Sequence, residues 1–185
     1  MKNDLFSLLI KFSTKWVVIT GFIIFFAFSF FFLPGQNKIV ETYSAGTGSP
    51  DTSFLYTPTE LYQMAGAYGA EGRSAYIRAR WTFDLAFPII YTFFLTTSIS
   101  WSANRVLKEG NDLHTGNLLP LFAMLFDLCE NICTTWVFAR YPAYNAFLSM
   151  LAPAFTLLKW ICVGFSFLFL AAMLIWLLLD TQKKK

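Results

Sequence analysis

Charge is scarce in this 185-residue chain: 14% of residues are Asp, Glu, Lys or Arg, where a soluble domain carries about a quarter. Too little polar surface remains to cover a globule in water, and a disordered chain is excluded by the same shortage. The net charge of +3 is too small to imply a polyanionic partner, so nucleic acid is not expected. There is one histidine, His114, and three cysteines, none of them in a loop. Cys129 and Cys133 share one apolar run and Cys162 lies in another, which gives packed or lipid-facing thiols rather than a disulfide framework. His114 lies far from all three, so no metal site is assigned, and it is expected in a solvated loop. The chain has no phosphate-cradling glycine loop, no His-Glu metalloprotease pair, no CxxC and no Gly-x-Ser-x-Gly elbow. Redox, haem and serine-hydrolase chemistry therefore lack their groups, and no cofactor is expected. No Asn-x-Ser/Thr sequon occurs either.

What is present is hydrocarbon: 56% hydrophobic residues, 22 Phe and a mean hydropathy of +0.53. A helix needs about 20 apolar residues to cross a bilayer core of roughly 30 Å. Four stretches qualify, at about 16–33, 81–101, 118–138 and 159–179. Each must be helical, because an isolated strand leaves its backbone unsatisfied in lipid. The expected fold is all-α, an integral-membrane four-helix bundle forming a single domain over 1–185. Pro34-Gly35 should close the first span, which is expected to be an uncleaved anchor rather than a signal sequence. Before it, Leu5, Phe6, Leu8, Leu9, Ile10 and Phe12 among lysines suggest a short interfacial helix.

Residues 34–80 form the long connection, irregular at first and rich in Gly, Ser, Thr and Asn. Thr57-Pro58-Thr59-Glu60 then presents an N-cap, a first-turn proline and a capping-box Glu, so a short helix should run from Pro58 to about Ala67. Gly69 and Gly72 should break it, with Ser74 beginning a helix continuous with the second span. Leu61, Tyr62 and Met64 would lay the short helix over the mouth of the bundle or on the headgroups. The basic residues weigh eight to five toward both chain ends being cytoplasmic in a cell membrane. Trp81, Trp101, Trp136 and Trp160 fall at or near span ends, as an interfacial belt would.

Ionisable side chains inside the bilayer are functional-site candidates, since each costs a few kcal/mol to place there. Asp127, Glu130, Asn131 and Thr134 share one stripe of the third span, and Asp84, Pro88 and Tyr91 share one of the second. Arg80 is one turn before Asp84, and Lys159 stands at the boundary of the fourth span. Pro88 has no N–H, so it frees a carbonyl one turn earlier and adds an acceptor to the same side. The two polar faces lie at overlapping depths and should confront each other across a cavity opening toward the outer side.

The functional expectation is a membrane protein binding an amphiphilic, lipid-like molecule or a cation, with Asp127 and Glu130 as the deep floor and candidate acid–base pair. Asp84 and Arg80 would form the rim, Tyr91 and Asn131 would orient the ligand, and Lys159 would sit near by. Besides the bilayer and such a ligand, the competing partner is another membrane protein or a second copy of the chain. In that reading the chain is an assembly subunit whose polar residues are interhelical glue.

Overall fold

The computed structural model describes residues 11–108 and 111–183. Among the described residues it contains six α-helices and no strand. The segment expected to form an interfacial helix lies mostly in residues 1–10, outside those described. Helix α1 (Lys15–Tyr43) starts behind Thr14, whose side chain accepts from the Val17 N–H. Helix α2 (Pro58–Ala67) has the expected capping box: the Glu60 carboxylate accepts from the Thr57 N–H and hydroxyl, while the Glu60 N–H bonds back to Thr57 Oγ1. Those two donors hold the Glu60 carboxyl below the ordinary carboxylate range. Helix α3 (Gly69–Arg80) and helix α4 (Phe83–Val106) are separated by the two residues Trp81 and Thr82. A 3-10 turn (Asp112–Leu118) leads into α5 (Leu119–Arg140), and α6 (Ala146–Lys183) completes the chain. Four segments are long and apolar enough to cross a membrane: α1, the α3–α4 run, the 3-10 turn with α5, and α6. The chain is an all-α bundle of membrane-spanning type.

Helix boundaries depart from the expected ones wherever proline or glycine was taken as a stop. Helix α1 passes through Pro34-Gly35 and runs on to Tyr43. A proline interrupts one hydrogen bond, but beyond the hydrocarbon water can satisfy the freed carbonyl, so the helix continues. At its end the Tyr43 hydroxyl donates to Glu71. Likewise α6 contains Pro153 and begins at Ala146, which places Lys159 well inside the helix instead of at its start. Gly69, at φ +61°, does interrupt the chain, but α3 starts there and includes Gly72. Gly72 is a packing residue: a Cβ at that position would stand 2.7 Å from Tyr43 Cβ. The helix of the second span is therefore broken at 81–82 and not continuous from Ser74.

Apolar packing fixes the register of the bundle. Phe22, Phe25 and Phe28 of α1 stack along Phe94, Phe87 and Phe83 of α4, and Gly21 lets the two backbones approach. Helices α5 and α6 make the most extensive pairing. Phe22 opposite Phe94, and Phe25 opposite Phe167, bring Trp16, Trp101 and Trp176 to about the same level by helical rise. Trp81 lies twenty residues, or about 30 Å, farther along α4, so tryptophans bracket a zone of bilayer thickness. Beyond it, Leu61 and Met64 of α2 pack on Tyr56, Val137 and Phe138 and cover that end of the bundle. Lys15 and Lys183 both lie at the opposite end. His114 is buried, not solvated, with Nε2 3.2 Å from the Lys108 carbonyl oxygen.

Candidate functional site

The polar stripes of α4 and α5 face one another, and α6 completes the cluster. Pro88 makes the α4 side: the residue one turn ahead of it, Asp84, has a backbone carbonyl without its helical partner. Asn131 of α5 donates its Nδ2–H to that carbonyl at 3.1 Å. One turn deeper, the Tyr91 hydroxyl donates to Asp127 Oδ2 at 3.3 Å. Lys159 of α6 reaches in between the two acids of α5. Its Nζ is 2.5 Å from Glu130 Oε2 and 3.6 Å from Asp127 Oδ1. Glu130 is fully buried and Lys159 is 5% exposed, so the pair is almost wholly buried.

Arg80, also 5% exposed, forms the second ion-pair centre. Its guanidinium is 2.5 Å from Asp84 Oδ2, rests over the Tyr76 ring at 4.6 Å, and pairs with Asp51. Asp51 belongs to a 3-10 turn (Pro50–Thr52) in the 44–57 connection. That connection is pinned by the Trp160 indole N–H donating to the Asp51 carbonyl at 3.2 Å, and by the Tyr68 hydroxyl donating to the Gly48 carbonyl at 3.1 Å. In all, four carboxylates surround two cations.

A cavity of about 310 Å³ adjoins this cluster, at the low end of the range of roughly 300–1,000 Å³ usual for ligand sites. One wall is polar and includes Asp51, Arg80, Asp84, Tyr91, Asp127 and Lys159. The rest of the lining is mostly apolar, with Phe25, Leu33 and Val40 from α1 and Val163 and Phe167 from α6, and α1 adds Gln36 and Asn37. Helices α1 and α6 are barely packed on one another, and the cavity lies in the gap between them. The loop residues Ser49, Asp51 and Thr52 form its end wall on the α2–α3 side.

All seven side chains singled out from the sequence gather here, but in two ranks. Arg80, Asp84, Tyr91, Asp127 and Lys159 line the cavity, whereas Glu130 and Asn131 stand behind it. Asp127 is thus the deep acid that reaches the cavity. Glu130 instead acts on Lys159, and its Oε1 is buried without a hydrogen-bond partner. Lys159 and Arg80 are both buried against acids. Sequence reasoning missed Asp51, a single acid in a Gly/Ser/Thr-rich loop, where no periodicity marks which way a side chain points. It also took Trp160 as belt, although its indole N–H is committed to the Asp51 backbone.

Below the site, the hydroxyl groups of α4 close a seam with the start of α5. Thr92 donates to the Pro120 carbonyl, Thr96 to the Asn117 carbonyl, and Asn117 Nδ2 to Ser100 Oγ at 2.9 Å. These groups are engaged in joining helices. Comparison with protein-family models, curated proteins and solved structures finds no match to this chain. The fold and site define it only as a four-span helical membrane bundle with a buried ion-pair cluster beside a two-faced cavity.

Proposed function

We propose that this protein binds an amphiphilic molecule within the membrane, its polar head on the charged wall and its chain in the gap between α1 and α6. The observation that carries the reading is the cavity itself, which sets ionised side chains opposite phenylalanine, leucine and valine inside a zone bracketed by tryptophan. A ligand with two such halves suits both parts of this lining. By sequence the basic residues divide eight to five in favour of the flanks that carry Lys15, Arg105 and Lys183, which supports a cell-membrane topology with both chain ends cytoplasmic. The ligand then enters sideways from the outer leaflet. If the site also acts on its ligand, proton transfer passes through Asp127, with Tyr91 as its hydrogen-bonding neighbour and Glu130 holding Lys159 in place.

The competing reading, an assembly subunit, requires the polar stripes to face a partner's helices. Within this chain they face one another, which favours binding. Native mass spectrometry of the detergent-extracted protein separates the two. A retained lipid-sized mass supports binding, whereas a co-purified polypeptide with no such adduct overturns it in favour of the subunit.

A further inference from the structure

The ionic wall also bears on which head group fits. Each cation in it is already held twice, Arg80 by Asp51 and Asp84, Lys159 by Asp127 and Glu130. An anionic head would have to part a buried carboxylate from its cation, and breaking such a pair is strongly unfavourable. A cationic head displaces nothing. Three of the four carboxylates, Asp51, Asp84 and Asp127, line the cavity beside the two cations, so acceptor oxygens remain in excess there. The Asp127–Lys159 contact is 3.6 Å, longer than the roughly 2.7–2.9 Å of a charge-assisted hydrogen bond, and this Asp127 faces the cavity. Phe87, Tyr91 and Trp160 line the same space, and aromatic faces favour an organic cation over a hydrated inorganic one. The cavity volume is about 310 Å³. That holds a head and the first few carbons, leaving the remaining chain between α1 and α6.

We infer that the ligand is an aliphatic ammonium bearing an alkyl chain, its nitrogen set against Asp127 and Asp84. This rests on the amphiphile-binding reading and narrows it to one chemical class. The test titrates the full chain, purified in dodecyl maltoside, with dodecylamine, dodecyl phosphate and ethylamine. Binding is followed by thermal shift and native mass spectrometry. Dodecylamine is expected to bind saturably as a single adduct, at least about tenfold more tightly than the other two. Asp127→Asn should weaken it by about tenfold, since one charge-assisted contact is lost. Val163→Trp fills the cavity from α6 without altering any charge and should abolish binding, which keeps the test decisive if Asp127→Asn does not fold. Tighter binding of dodecyl phosphate overturns the ammonium class while leaving the amphiphile site standing. Equal binding of ethylamine overturns the role of the chain. Ligand effects that survive Val163→Trp unchanged overturn the cavity reading itself.

Discussion

The bond between Asn131 and the Asp84 carbonyl exists because position 88 is proline, and that dependence can be measured. Replacing Asn131 with Leu removes the donor and strands a buried carbonyl. An unsatisfied buried acceptor costs about 1–3 kcal/mol in water-soluble proteins, and interhelical hydrogen bonds in membranes average about 0.6 with a maximum near 1.7. A loss of about 1 kcal/mol is therefore expected from the missing bond. Part of it is offset, because Asn131 Oδ1 is itself buried without a partner and is removed at the same time. A second background separates these effects. With Pro88→Ala in place, the new N–H at position 88 can bond the Asp84 carbonyl along the helix, so Asn131 is no longer needed there. The relief of Oδ1 is common to both backgrounds and cancels, as does the packing lost with the buried Pro88 ring. The double-mutant cycle should yield a coupling of about 1 kcal/mol, with Asn131→Leu neutral to slightly stabilising in the alanine background. Equilibrium unfolding in mixed micelles, titrated with SDS, is the assay. A coupling below about 0.5 kcal/mol, the usual error of additivity, would refute the assignment of Asn131 to the proline-freed carbonyl.

Two further outcomes follow from the same packing. Lys159→Met leaves Glu130 without its counter-ion and should cost about 3–5 kcal/mol, whereas Lys159→Met combined with Glu130→Leu should recover most of it. Additive losses in the same unfolding assay would mean that the two residues are not paired. Gly72→Ala should destabilise by about 1–3 kcal/mol through overpacking, because the new methyl meets Tyr43 Cβ at 2.7 Å and that atom cannot swing aside. An unchanged melting temperature would show that α1 does not lie against α3 at that point.

Much of the bundle was legible because lipid imposes two strong rules, an apolar length and a helical period. Asp84, Pro88 and Tyr91 on one stripe, and Asp127, Glu130, Asn131 and Thr134 on another, were enough to say that α4 and α5 face each other. The proline-freed carbonyl could likewise be anticipated from covalent structure alone. Helix ends were less legible. Pro34 looked like a stop because proline weakens a helix locally, yet a single lost hydrogen bond does not outweigh the remaining turns of a long apolar segment. Gly72 looked like a breaker and is a contact point, a distinction that depends on Tyr43 arriving from another helix. The ranks within the site also escaped the sequence. Whether Glu130 or Asp127 faces the cavity is decided by where Lys159 enters, and Lys159 was placed at the end of its span. Asp51 carries no local signal at all, since its partner lies on α3.

The pairing of Lys159 with the acids of α5 also constrains how the protein is made. Asp127 and Glu130 leave the ribosome about thirty residues before their counter-ion. The most apolar stretch of the segment carrying them has a mean hydropathy of only 1.4, close to the 1.3 of the α3–α4 run and well below 2.5 for the first span and 2.6 for the last. An aspartate at the centre of a span opposes translocon insertion by about 2.5–3.5 kcal/mol. Helix α5 is thus a reluctant passenger until α6 emerges, and the two should partition into the bilayer together as a hairpin. Nascent chains truncated before Ala146 should leave α5 extractable by alkaline carbonate once the earlier spans are removed, and extension through Leu179 should make it resistant. Full integration of α5 alone would show that its acids are neutralised some other way.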